Sequence, residues 1–331
     1  MNKRMGRREF LTAGARAGMG LGLAATTGAA FAQQTELAPR ARGTDALGRG
    51  PSEARSAGAA PPKRMAKTTK LFLTPPSWPN AIATDPDGRG FWIQEQRHDN
   101  KQEAAWLLDR SGKVLHKVVT NCKNTSGMAY GDGCVWSGAN GDSEIDHPTP
   151  PIEGIFQTDM NSTQISQRQI PFGPVDNGGS THGMAWENGK LWIYANRLEA
   201  LMRIDPKSWR VDYMFPVTRT PRLSERLHGI EWDNGFIWQV TGTQKPDVPG
   251  YEGYTPGLLK YEVKTGEVVQ VVEFVPGSCD IHDVAVADGM LYGVDAGEHP
   301  GWSIDNPAYQ HPGFPPLNSP SGGYVFRIDL I

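Results

Sequence analysis

Three histidines open three look-alike segments: HGMAWENGKLW from His182, HGIEWDNGFIW from His228 and HDVAVADGMLY from His282. The same segment starts with serine in SGMAYGDGCVW, from Ser126. It starts with asparagine in NAIATDPDGRGFW, from Asn80, which has two extra residues in its turn. If equivalent strands line one axis, Asn80, Ser126, His182, His228 and His282 ring its mouth. Neutral imidazole nitrogen suits a divalent ion, so His182, His228 and His282 are the candidate ligands for Zn, Fe, Mn or Ca. Three protein ligands leave coordination positions open, and the ion would polarise a carbonyl or activate water near neutral pH. Without an ion, one imidazole serves as a general base. The structural alternative is that a histidine inherited by duplication only braces loops; against it, the two earlier repeats lack the histidine but need the same bracing.

Further polar groups fall near this ring. Asp295 and Glu298 follow the second strand of the last repeat and are candidate acid–base partners for His282. Asp283, directly after His282, would orient that ring or cap the strand. Arg222 and Arg226 lead into His228 and suit a carboxylate on a substrate. Trp302 and Tyr309 lie in the last long insertion and suit ligand stacking. Asn80 and Ser126 complete the substrate-facing set. Cys279 precedes His282, and Cys122 and Cys134 flank the first strand of the second repeat; with three cysteines at most one bridge forms. His147, His299 and His311 lie in the large loops and read as surface residues.

The elements that must position these residues repeat at roughly 46–56 residues, the size of a propeller blade. Each segment is a strand, a Gly-containing turn and a second strand ending at an aromatic: Trp92, Trp136, Trp192, Trp238 or Tyr292. These five read as core between blades. A hairpin follows each segment, as in ALMRIDPKSWRVDY from Ala200. The last repeat stops after its third strand, and Lys70-Leu71-Phe72-Leu73 can supply the fourth. The expectation is therefore an all-β single propeller of five four-stranded blades over residues 70–331, with an N-terminal strand closing the last blade; an open solenoid is the alternative. Long inserts such as SGANGDSEIDHPTPPIEG and TGTQKPDVPGYEGYTPG leave the face that carries the ring, as a binding site requires.

The first residues read as an address. Arg7-Arg8-Glu9-Phe10-Leu11, a weakly apolar stretch and Ala30-Phe31-Ala32 make residues 1–32 a twin-arginine signal peptide. Residues 33–69, rich in Ala, Gly, Pro, Arg and Ser without periodicity, read as a flexible linker. The expected location is the periplasm or the medium, with the twin-arginine translocase as export partner. A net charge of −3 gives no basic field for nucleic acid. No apolar run approaches the ~18–20 residues of a membrane span. The expected protein is a monomer whose partner is a small molecule.

HGMAWENGKLWIYANRLEALMRIDP resembles a unit of the virginiamycin B lyase-like and senescence-marker/gluconolactonase-like propellers. The resemblance is at the level of single repeats and runs through residues 70–331. It implies a metal-ligand role for the position held by His182 and His228, and a catalytic role for that held by His282. Two departures stand out: those families have six or seven blades, and their acidic ligands have no clear counterpart. The expected function is a metal-assisted hydrolase or lyase acting on a lactone- or ester-like molecule, and the alternative is a non-enzymatic ligand- or protein-binding propeller.

Overall fold

In the computed structural model, the structure describes residues 60–75, 78–97, 101–139, 154–171, 181–195, 198–217, 226–242, 257–275, 281–295 and 323–331. Twenty strands lie among them. Three repeats each form an antiparallel sheet of four strands. The first contains β2 (Pro79–Thr84), β3 (Gly90–Glu95), β4 (Glu103–Asp109) and β5 (Val114–Thr120). The second contains β6 (Thr125–Gly131), β7 (Cys134–Ala139), β8 (Ile155–Asp159) and β9 (Gln164–Arg168). The third contains β10 (Thr181–Glu187), β11 (Lys190–Ala195), β12 (Ala200–Asp205) and β13 (Arg210–Pro216).

The expectation of five separate four-stranded blades is corrected by the remaining strands. They are β1 (Lys63–Leu73), β14 (Arg226–Asp233), β15 (Phe236–Gly242), β16 (Gly257–Glu262), β17 (Glu267–Phe274), β18 (Asp283–Ala287), β19 (Met290–Val294) and β20 (Tyr324–Leu330). All eight belong to one sheet, in the order β14-β15-β16-β17-β1-β20-β19-β18. The architecture is thus all-β and propeller-like, with three four-stranded sheets and one of eight strands. β1 makes the join. Its first part, Lys63 to Ala66, pairs parallel to β17, and Ala66 to Leu73 pairs antiparallel to β20. β1 begins seven residues before Lys70, inside the stretch read as linker. The reason is physical: of its side chains only Ala66 is buried, so backbone pairing holds the strand and its sequence carries no apolar alternation.

The inner strands β2, β6, β10, β14 and β18 contact one another in cyclic order, with β18 against β2. The glycine after the opening residue permits this approach. A Cβ on Gly127 would lie 2.9 Å from the backbone N of Gly183, and one on Gly183 would lie 2.8 Å from the N of Ile230. At the other end of these strands, Asp132-Gly133, Asn188-Gly189, Asn234-Gly235 and Asp288-Gly289 all have positive φ, as two-residue type I′ hairpins require. Trp92, Trp136, Trp192 and Trp238 are buried, each packed against apolar residues of its own and the following repeat; Trp136, for example, joins Ala129 to Met184 and Leu191. No helix among the described residues is long and apolar enough to cross a membrane.

Candidate functional site

The opening residues of the inner strands meet in one polar cluster. His282 Nδ1 lies 2.8 Å from Asn80 Oδ1. Asn80 Nδ2 donates to the carbonyl of Thr125 and to Ser126 Oγ, both at 3.2 Å. Because the amide nitrogen is engaged with a carbonyl, the amide oxygen must be the atom facing His282, and Nδ1 of His282 must carry the proton. Ser126 Oγ accepts from Asn80, which leaves its own proton for Nε2 of His228, 3.5 Å away. The His228 ring stacks on His182, with centroids 5.0 Å apart and planes at 14°, and tilts against His282 at 4.8 Å and 50°. Asn80, Ser126, His228 and His282 are buried, whereas His182 is partly exposed and forms the accessible side of the cluster.

Two buried carboxyl groups hold this cluster in place. Glu103 accepts from the backbone N–H of Arg97 at 2.8 Å, Asn124 at 2.7 Å and Thr125 at 3.1 Å, and from the Thr125 hydroxyl. Thr125 in turn offers the carbonyl that orients Asn80. Burial pushes the Glu103 carboxyl up to about 8, against these four donors, which favour its charged form. Asp283 accepts from the N–H of Ile82 at 3.1 Å and of Val284 at 2.8 Å. It therefore caps an inner-strand donor rather than facing solvent, and burial drives its carboxyl well above the usual range. Its carboxyl fills the space beside Gly229, where a Cβ would overlap it.

The other candidates divide. Asp295 is buried after β19, and its Oδ1 accepts the N–H of Tyr324 at 2.9 Å, tying β19 to the start of β20. Arg226 begins β14 by its backbone. Glu298, Arg222, Trp302, Tyr309, Cys279, His147, His299 and His311 lie outside the described residues. Cys122 and Cys134 are both free and buried, and burial raises both thiols, which removes them as thiolate nucleophiles near neutral pH.

Among the described residues no three His, Cys, Asp or Glu side chains are placed to share one ion. The imidazoles show why. Stacked rings carry their nitrogens in near-parallel planes, and Nε2 of His228 and Nδ1 of His282 already face Ser126 and Asn80. In these rotamers the cluster does not fit a three-histidine metal centre. What it offers is an imidazole beside a hydroxyl, the pairing from which general-base catalysis starts.

The missed residue was Glu103, whose signal is an acid opening the apolar run AAWLL. Of the two roles expected for Asp283, orienting His282 or capping a strand, the structure gives the cap, at a position where the other repeats carry Ala81, Gly127, Gly183 and Gly229.

No family model and no curated protein matches the chain. Solved structures match its fold. Glutaminyl cyclase of Myxococcus xanthus aligns with a TM-score of 0.50 and 14% identity over 82% of this chain and 100% of that one. A luciferin-regenerating enzyme aligns at 0.44 and 14%, over 79% and 78% of the two chains. The Pan2 WD40 domain of Neurospora crassa aligns at 0.40 and 11%, over 79% and 95%. At these identities the likeness is one of fold, and that fold is β-propeller-like.

Proposed function

We propose that the chain is a hydrolase or lyase for a small lactone- or ester-like molecule, with its acid–base centre in the axial cluster. The observation that carries this reading is the Ser126–His228 pair, held by Asn80 and continued by two further imidazoles. His228 takes a proton from Ser126 or from a water at the same place, His282 is held as the Nδ1–H tautomer by Asn80, and His182 meets the incoming substrate. The three imidazoles are also the groups that would hold a divalent ion if His182 and His228 left their stack; such an ion would supply Lewis-acid chemistry. Export through the twin-arginine translocase belongs to the same proposal, on the strength of Arg7-Arg8 and Ala30-Phe31-Ala32.

The test is turnover of a panel of lactones and aryl esters by the purified chain, with metal analysis of the same sample. Activity that falls at least a hundredfold in His228→Ala and in Ser126→Ala, while both variants stay folded, supports the reading. Activity unchanged in His228→Ala, or no turnover alongside tight ligand retention, replaces it with a binding propeller.

A further inference from the structure

The inner strands carry a second set of equivalent residues at their far ends, and one of them breaks the pattern. Three positions after the opening residue the repeats have Ala83, Ala129, Ala185 and Ala285, all buried, but β14 has Glu231. The alanines fit because neighbouring inner strands nearly touch. A glutamate there is not needed to close the ring. Its carboxyl is buried, with the Val286 N–H donating to it and the Thr84 hydroxyl beside it.

At the next position along, the repeats place Thr84, Tyr130, Trp186, Trp232 and Val286. Three of these five are aromatic. They wall a cavity of about 530 Å³ that also reaches Glu231 and, between the short turns, Asp87 and Asp132. Among the described residues its lining holds three acidic side chains and no lysine, arginine or histidine. Arg89, outside the lining, pairs with Asp85 at 2.7 Å and with Asp87 at 3.2 Å, and its guanidinium also donates to the Tyr130 hydroxyl. The aromatic walls are fixed in place. Tyr130 stacks on Trp92 at 4.8 Å, and Trp186 stacks on Trp136 at 6.0 Å and lies flat on Gly131, whose Cβ would meet the indole at 2.0 Å. The Trp232 indole nitrogen is buried and has no acceptor among the described residues.

A buried carboxyl at the floor, aromatic faces on the walls and acidic residues at the rim form the setting that recognises an ammonium group. Charge attraction and the ring quadrupoles both favour a cation there, and desolvation strengthens both. We propose that this cavity binds a small organic cation, a primary or quaternary ammonium compound, with Glu231 as its counter-ion and Tyr130, Trp186 and Trp232 as its cage. The site is separate from the histidine cluster: Glu231 follows His228 by three residues of strand, about 10 Å. It therefore stands or falls independently of the hydrolase reading.

The probes are choline and propylammonium, titrated calorimetrically into the full chain at pH 8.5, with 3,3-dimethylbutan-1-ol as the neutral isostere of choline. Glu231→Ala is the decisive variant, because it installs the residue that the four other repeats carry and so preserves the fold. Saturable 1:1 binding of at least one cation is expected, at least tenfold weaker for the neutral isostere and at least tenfold weaker in Glu231→Ala. Binding of neither cation, equal binding of the neutral isostere, or unchanged affinity in Glu231→Ala overturns the proposal.

Discussion

His282 and Asn80, 202 residues apart in sequence, share a 2.8 Å hydrogen bond that joins the first and last repeats at the axis. The bond does two things. It fixes the tautomer of a candidate catalytic imidazole, and it ties β2 to the strand that closes the inner ring on it.

Replacing Asn80 by alanine removes both. The His282 Nδ1–H, the Ser126 hydroxyl and the Thr125 carbonyl each lose a buried partner, and a buried polar group left unmade costs about 1–3 kcal/mol. Urea denaturation should show a loss of that order. The nitrogen spectrum of His282 should also change from the Nδ1–H form to a mixture. An unchanged tautomer in Asn80→Ala contradicts the assignment.

The close approach of the inner strands makes two glycines behave differently. At Gly183 an added Cβ meets only backbone, 2.8 Å from Ile230 N and 2.9 Å from His228 O, so β10 must move away from β14. Gly183→Ala should fall at the upper end of the ~1–3 kcal/mol that overpacking costs and separate the His182 and His228 rings. Gly189 has φ +86° and open space around it, so Gly189→Ala pays only the left-handed backbone term of about 1 kcal/mol. Equal losses in the two variants count against the ring as described.

β1 covers the outer edge of β17, and its removal has a distinct consequence. A chain beginning at Lys67 loses the parallel pairs Lys63–Val271 and Ala66–Phe274 and exposes the β17 edge, a template for pairing with another chain. Such a truncation should associate in size-exclusion chromatography while the full chain does not. A truncated chain that elutes like the full one shows that the edge is harmless.

The sequence made the repeat unit legible because its signals are side-chain signals. The NG and DG turns, the wedged tryptophans and the opening residues all mark positions where one residue type does a job that others cannot. Asn80, Ser126, His182, His228 and His282 do meet, since equivalent positions of a closed ring have to. Their rotamers were not legible: whether imidazoles converge on an ion or stack depends on neighbours such as Thr125 and Asn80, which only the packing brings close. β1 was misjudged for the opposite reason. It is held by main-chain bonds, which leave no pattern in side chains, so a basic, half-exposed strand looked like linker. Glu231 was visible as the one acid in a column of alanines, but its meaning needed the cavity.

Glu231 also gives the protein a measurable pH response. Burial pushes its carboxyl up to about 8 from an ordinary 4.5, with Asp233 on the same strand adding to the rise and the Val286 N–H and Thr84 opposing it. Asp283, buried on the adjacent inner strand β18, is raised as well, chiefly by burial and in part by Glu231. Between about 4.5 and 8 the folded chain therefore holds a proton that the unfolded chain has released. Folding takes up that proton, so stability from this group is highest below pH 4.5 and falls as pH rises to about 8, by at most about 1.4 kcal/mol per pH unit. Above 8 the loss is complete and the curve flattens. Glu231→Ala removes this contribution and relaxes Asp283, so the variant should match the parent near pH 5 and exceed it in urea midpoint at pH 8. Glu103 and Asp283 keep some slope in both proteins, which makes the difference between the two curves the quantity to read. Parallel curves for parent and variant would mean that the Glu231 carboxyl is already ionised at pH 5, and that its burial is offset by donors stronger than Val286 and Thr84.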